Sequence, residues 1–364
     1  MPFPSLSPVD SFSPAIQRTT GLLFKPFRWN FYWRMAVVAF LTGELGGGGF
    51  NRIPTSFPTD HGRRRGGSSE FLQSLPWHLP GALNTVDWVI IGAFAVAALI
   101  AFILVFLYIS SIFRFILFDS VLTGKCSIRE GWSRRQREGR KYFQWSLIVM
   151  AITLTLLLVV FGTPVLFAWS AGIFHNASQH VLLLVLAGIA MMFLFVAYLL
   201  AAGAVHVISR DMLVPMFAFE DISIGEAWER VKHMITADRG GYAGYYGMCI
   251  LLAMAIGIVF GIIGLILIVV LLIPIIVIGV MIVAALAATG WNPVGILIAV
   301  LLGIVALVVL MFASALVYVP GVIFRQSYGM YFFGARYQPL TPYMYPPPPP
   351  MPPPFVPPPR GAQA

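Results

Sequence analysis

The chain has 364 residues, 59% of them hydrophobic and 10% charged, with a mean hydropathy of +0.86 and a formal net charge of +9. Soluble domains carry about a quarter charged residues, so this composition excludes a soluble globular protein and defines an all-α, polytopic transmembrane bundle. The positive balance reads as topology and headgroup attraction, since no separate basic and aromatic module offers a nucleic-acid surface, and the two cysteines, Cys126 and Cys249, make no disulfide framework.

Residues 1–13 are rich in Ser and Pro and have no basic segment feeding an apolar core, so a disordered cytoplasmic start without a cleaved signal peptide is expected. Residues 14–34 set Arg18, Lys25, Arg28 and Arg34 among Leu22, Phe24, Phe27, Tyr32 and Trp33, a basic and aromatic approach to the bilayer. The first expected span, 33–46, is shorter than the roughly 20 residues a crossing helix needs, and Arg34 and Glu44 sit at its ends. A loop with Arg52, Arg63, Arg64 and Arg65 and a short interfacial helix near Phe71 and Trp77 leads to a second span, 86–112.

Beyond that span the chain repeats itself. Residues 112–134 and 208–230 align without a gap at eight of 23 positions, with an offset of 96. In each copy a Ser precedes a Glu by three residues, Ser127 with Glu130 and Ser223 with Glu226, the pattern of a capping box in which each side chain satisfies a free backbone N–H. Helices are therefore predicted from these serines. Their apolar edges carry Ile128 with Trp132 and Ile224 with Trp228, and their polar edges carry the pairs Glu130–Arg134 and Glu226–Arg230 four residues apart. Such elbows are expected to lie in the membrane interface, apolar edge down. Arg129, Arg134, Arg135, Arg137, Arg140 and Lys141 cluster at the first elbow as headgroup-binding candidates, each contributing about 1 kcal/mol near an anionic surface.

Spans 143–170 and 181–208 follow, joined by a loop with His175, Asn176 and His180. Residues 240–324 hold no charged residue and no His over 85 positions. The stretch 242–289 is too long for one straight crossing at about 1.5 Å per residue; a span at 242–273 with a kink or break at Pro274 is expected, 274–289 being left open between one crossing and two, and a last span covers 294–318. Residues 337–364 form a proline-rich tail expected to be disordered, either a solvated polyproline segment or a docking peptide for a protein partner.

Six spans with both termini inside place 19 of 23 Lys and Arg on the cytoplasmic side. Ile112-Phe113-Arg114 recurs as Ile323-Phe324-Arg325 and in part as Ile208-Ser209-Arg210, each after an apolar run. Three repeats of elbow helix, outward span and inward span account for this; seven spans with the C-terminus outside is the alternative.

Ionisable groups at membrane depth usually mark a catalytic or transport site. Here Glu44 and Asp87 fall at span ends and His206 near the end of the fourth span, so no such site is expected. His61, His78, His175 and His180 match no ligand spacing, and Gly257 with Gly261 reads as helix packing. No nucleophile elbow, phosphate loop or dinucleotide fingerprint is present, and neither metal, cofactor nor enzymatic activity is expected.

The segment from Arg210 through Pro215 and Ser223 to Arg230, together with the opening stretch from Leu22 to Leu41 before the glycines at 46–49, resembles uncharacterised six-span bacterial membrane proteins. Those are related to the membrane domain in front of some glycerophosphodiester phosphodiesterases. The resemblance covers about residues 14–340 and implies a multi-pass inner-membrane protein without the phosphodiesterase barrel. The expected role is a non-enzymatic scaffold or accessory factor gripping anionic lipid headgroups. A transporter or lipid translocator moving at Pro274 is the alternative.

Overall fold

The computed structural model of the chain describes residues 7–44, 85–172, 181–289 and 293–345. Expectations for the long loop after Glu44, the His175 loop, the turn before Pro293 and the proline run beyond Tyr345 lie outside these residues.

The described residues form ten helices: α1 (Phe12–Leu23), α2 (Trp29–Leu41), α3 (Thr85–Thr123), α4 (Ile128–Arg134), α5 (Gln136–Ser170), α6 (Val181–Phe219), α7 (Ile224–Ala237), α8 (Arg239–Thr289), α9 (Pro293–Gly334) and α10 (Thr341–Met344). Among the described residues no strand occurs beyond a single bridge between Phe24 and Phe27. Helices α3, α5, α6, α8 and α9 are long and apolar enough to cross a membrane. The protein is thus a multi-pass, all-α membrane protein. Helix α2 has 13 residues, about 20 Å at the α-helical rise, and ends where Gly43 takes a positive φ of 71° that only glycine adopts without strain.

The long helices divide into apolar arms and a packed base. Residues 89–105 of α3 are exposed throughout, and almost none is buried in 148–170, 181–200, 253–285 and 294–313. Four of these arms, of 17 to 23 residues, span about 25–35 Å, the thickness of a hydrocarbon layer, while the 33-residue arm of α8 spans about 50 Å; their Val, Ile, Leu and Phe surface suits lipid. The base collects the burial: Ile112, Phe115 and Phe118 from α3, Met35 and Ala39 from α2, Met212 and Met216 from α6, and Val319, Ile323 and Phe332 from α9. Helix α9 packs on α1, α2 and α8, and α3 on α2, α4 and α5. A Cβ on Gly139 would come within 2.6 Å of Ile112, so glycine lets α5 lie close against α3. Arg18 of α1 donates to the carbonyls of Val121 and Leu122 at 2.8–3.2 Å, satisfying the C-terminal end of α3.

Three expectations change. Helix α8 runs without interruption through Pro274, so residues 242–289 are one helix, too long for a single perpendicular crossing. The second, fourth and last expected spans continue well past their expected ends at 112, 208 and 318, to Thr123, Phe219 and Gly334, because their last turns trade bilayer for protein and lose hydropathy without losing helix. Residues 337–345, expected to belong to a disordered tail, instead pack on the base, where Tyr337, Leu340 and Met344 are buried.

Proline leaves one further mark. It cannot donate to the carbonyl four residues back and its ring crowds it. Pro164 and Pro215 each sit just after a π-helical turn, Leu158–Gly162 in α5 and Ser209–Leu213 in α6. In the second turn all five residues are buried, which puts Arg210 and Asp211 inside the base together.

Candidate functional site

Two charged regions stand out, one inside the base and one on its surface. The inner one gathers Arg114, Arg210 and Arg325, the repeat-equivalent arginines, each nine residues before its helix end. All three converge on Glu44, delivered by the Gly43 turn. Arg325 donates to Glu44 at 2.9 Å, and Arg114 and Arg210 approach its other oxygen to 3.8 and 4.0 Å. Arg210 also grips Asp211 through two bonds of 2.6 and 2.7 Å, Tyr245 donates to Asp211 at 2.6 Å, and Arg114 donates to Tyr142 at 2.9 Å. Glu44 is 2% exposed and Asp211 2%.

The sequence places Glu44 at a span end and leaves almost no ionisable group at membrane depth; the structure adds that the ends of three long helices meet around Glu44 and bury these charges together in the base. Burying charges costs several kcal/mol per ion unless they are paired. Here three cations face two anions, with Tyr142 and Tyr245 completing the shell. Glu44 Oε1, Arg114 Nε, Arg325 Nε and His206 Nε2 find no hydrogen-bond partner among the described residues. No group of three or more His, Cys, Asp or Glu suited to a metal occurs among them, and Cys126 and Cys249 are separate, buried thiols.

The elbows place the other predicted residues. Ser223 caps α7 by accepting from the Glu226 N–H at 3.2 Å, while the Glu226 carboxylate pairs with Arg230 at 2.7 Å. At the first elbow Ser127 instead donates to the Glu130 carboxylate at 3.0 Å, and Arg134 pairs with Asp119 at 3.1 Å rather than with Glu130. Trp132 packs against Phe113 at 5.8 Å between ring centres and Trp228 against Trp145 at 5.0 Å. The apolar edges predicted to face lipid are thus taken up in large part by the base. The Trp145 indole donates to Ser209 at 2.9 Å.

Arg135 turns inward, making two 2.8 Å bonds to Asp119 and one of 3.0 Å to the Ala218 carbonyl, so it ties the first elbow to the end of α6. Arg137 and Lys141 lie one turn apart on α5 and share Asp221, whose carboxyl they hold below its usual range, Lys141 foremost through its hydrogen bond. Arg129 and Arg140 are exposed and make no ion pair among the described residues. Arg134, Gln136, Arg137, Arg140, Lys141 and Gln144, with Ser133, line an open groove of about 410 Å³. It lies at the foot of α5, one turn before the exposed arm begins at Ile148.

The model of a family of unknown function, DUF7544, matches residues 6–343. The chain belongs to that family. No curated protein and no solved structure matches it.

Proposed function

We propose that this chain is a non-enzymatic membrane scaffold or accessory factor that holds anionic lipid headgroups in the groove at its first elbow. The observation that carries the reading is the placement of Arg137, Arg140 and Lys141 on one face of α5, where the apolar arm leaves the base. A helix entering the bilayer there brings guanidinium and ammonium groups to headgroup level, and the amides of Gln136 and Gln144 add donors for phosphate oxygens. We place this face at the cytoplasmic leaflet of the cell's inner membrane, with both termini cytoplasmic, because the basic elbows follow the positive-inside rule.

The translocator alternative gains little support. Its motive was a broken helix at Pro274, and α8 is unbroken there. The cleft of about 390 Å³ between the arms of α8 and α9 is lined by aliphatic residues and by Gly279 and Gly303, which offer no polar path. A protein partner for the proline-rich tail is a separate proposal, tested by pull-down with and without residues 346–364.

The test is lipid retention. The full chain purified in mild detergent is expected to keep anionic over zwitterionic phospholipid, as read by mass spectrometry. The variant R137Q/R140Q/K141Q is expected to lose that preference by about fivefold per charge removed. Equal retention of both lipids by the wild type would end the proposal.

A further inference from the structure

A third cavity, of about 240 Å³, opens between α6 and α8, away from the first elbow. Ala204, Val207 and Met212 of α6 and Tyr242, Ala243 and Tyr246 of α8 wall it, and Arg239 stands at one end. The space follows from small residues. Gly203 leaves room that a Cβ would close to 2.8 Å from the Tyr246 hydroxyl, so Tyr246 reaches across and donates to the Leu200 carbonyl at 2.6 Å. That clip fixes the two helices at one level. Ala204 and Ala243, on either side, are too short to fill the gap beside it.

One cation stands open at this cavity: Arg239 is exposed and makes no ion pair among the described residues, whereas the Tyr242 hydroxyl is closed off from the space and only its ring lines it. The cavity has a direction as well. Arg239 opens α8 and Tyr246 lies seven residues on, about 10 Å along the axis. Above it the exposed arm begins, with Leu251 and Met254 facing outward. The cation therefore stands at the base and the apolar walls run toward the arm, the same polarity as a lipid in the adjoining leaflet.

We propose that this cavity seats one acyl chain of an anionic lipid from that leaflet, with its phosphate at Arg239. The site goes beyond the elbow groove, which touches headgroups alone, and it does not rest on that groove's role. Its occupant is a whole lipid held at the seam between α6 and α8.

The experiment uses the full chain in nanodiscs containing phosphatidylglycerol with a photoreactive diazirine on one acyl chain, and phosphatidylcholine with the same label as control. Adducts are mapped by peptide mass spectrometry. Phosphatidylglycerol adducts are expected to concentrate on residues 204–212 and 239–246, about fivefold above phosphatidylcholine. R239Q should bring the two lipids level. A243W should fill the space and remove these adducts while leaving those on the exposed arms, with the smaller A243L and a thermal melt guarding against misfolding. R137Q/R140Q/K141Q should leave them in place, which separates this site from the elbow groove. Adducts spread evenly along the arms, adducts indifferent to A243W and A243L, or adducts displaced by inorganic phosphate alone would each overturn the proposal.

Discussion

The inner cluster and the outer groove use the same side chains to opposite ends. Around Glu44 three arginines are almost fully buried, and their positions are set by three helices, a glycine turn and two tyrosines. Around Asp221 two basic groups meet one carboxylate in solvent, where 74% of the Arg137 side chain and 56% of the Asp221 side chain remain exposed. An exposed pair contributes about 0–1 kcal/mol and is free to trade partners. Removing one member of a buried pair leaves an uncompensated charge. The first arrangement specifies a fold; the second leaves cations for a ligand.

The sharpest way to break this contrast is at Glu44. E44A leaves three arginines facing one aspartate and is expected to cost about 3–5 kcal/mol, seen as a large loss of thermal stability in detergent. A loss within that of an exposed pair would mean the cluster is hydrated and not structural. E44L/R325M, which removes charge from both sides, should recover part of the loss.

Next in size is Y245F, which strips one donor from buried Asp211 and should cost about 1.5–3 kcal/mol, the range for a hydrogen bond to a charged group. Alongside it, G329A would set a Cβ 2.8 Å from the Asp211 carboxylate and 3.1 Å from the Tyr245 hydroxyl. Overpacking of this kind costs about 1–3 kcal/mol. Chemical denaturation of both variants checks the ranking.

A smaller effect belongs to the edge of the base. Glu220 accepts from the Tyr337 hydroxyl at 2.6 Å and from Arg230, and the Tyr337 bond chiefly holds its carboxyl below the usual range. A depressed folded pKa stabilises above the unfolded value, about 4.3 for Glu, and that stability is lost as pH falls through the folded value. The advantage of wild type over Y337F should therefore be full at neutral pH and shrink in acid. Melting curves against pH decide it. Last, R137Q/R140Q/K141Q should change stability by no more than about 0.5 kcal/mol while removing anionic lipid preference. If instead it unfolded the protein, the division between the two charged regions would fail.

The helices were legible because long apolar runs and Ser-x-x-Glu starts are local signals. Ser223 accepts the Glu226 N–H as the spacing predicts and Arg230 pairs with Glu226, but the Glu226 carboxylate makes no return bond to the Ser223 N–H, so the box is half formed. Arg134 does not, because Asp119, 15 residues earlier and brought alongside by the turn at Gly124, competes for it. The buried cluster was half visible. The threefold Ile-x-Arg pattern was recognised as an exit signal, but that the exits meet on Glu44 depends on contacts across as many as 281 residues, which no window registers. Pro215 was the missed clue: a proline four residues after Asp211 disturbs the helix there and lets two consecutive charges face inward.

The 2.9 Å bond from Arg325 to Glu44 joins the opening hairpin to the closing one. During synthesis Glu44 leaves the ribosome long before its closest partner is made. The nascent chain thus lacks the one hydrogen-bonding arginine of Glu44 until the last helix arrives, and a chain halted before Arg325 leaves that carboxylate with only its longer approaches to Arg114 and Arg210.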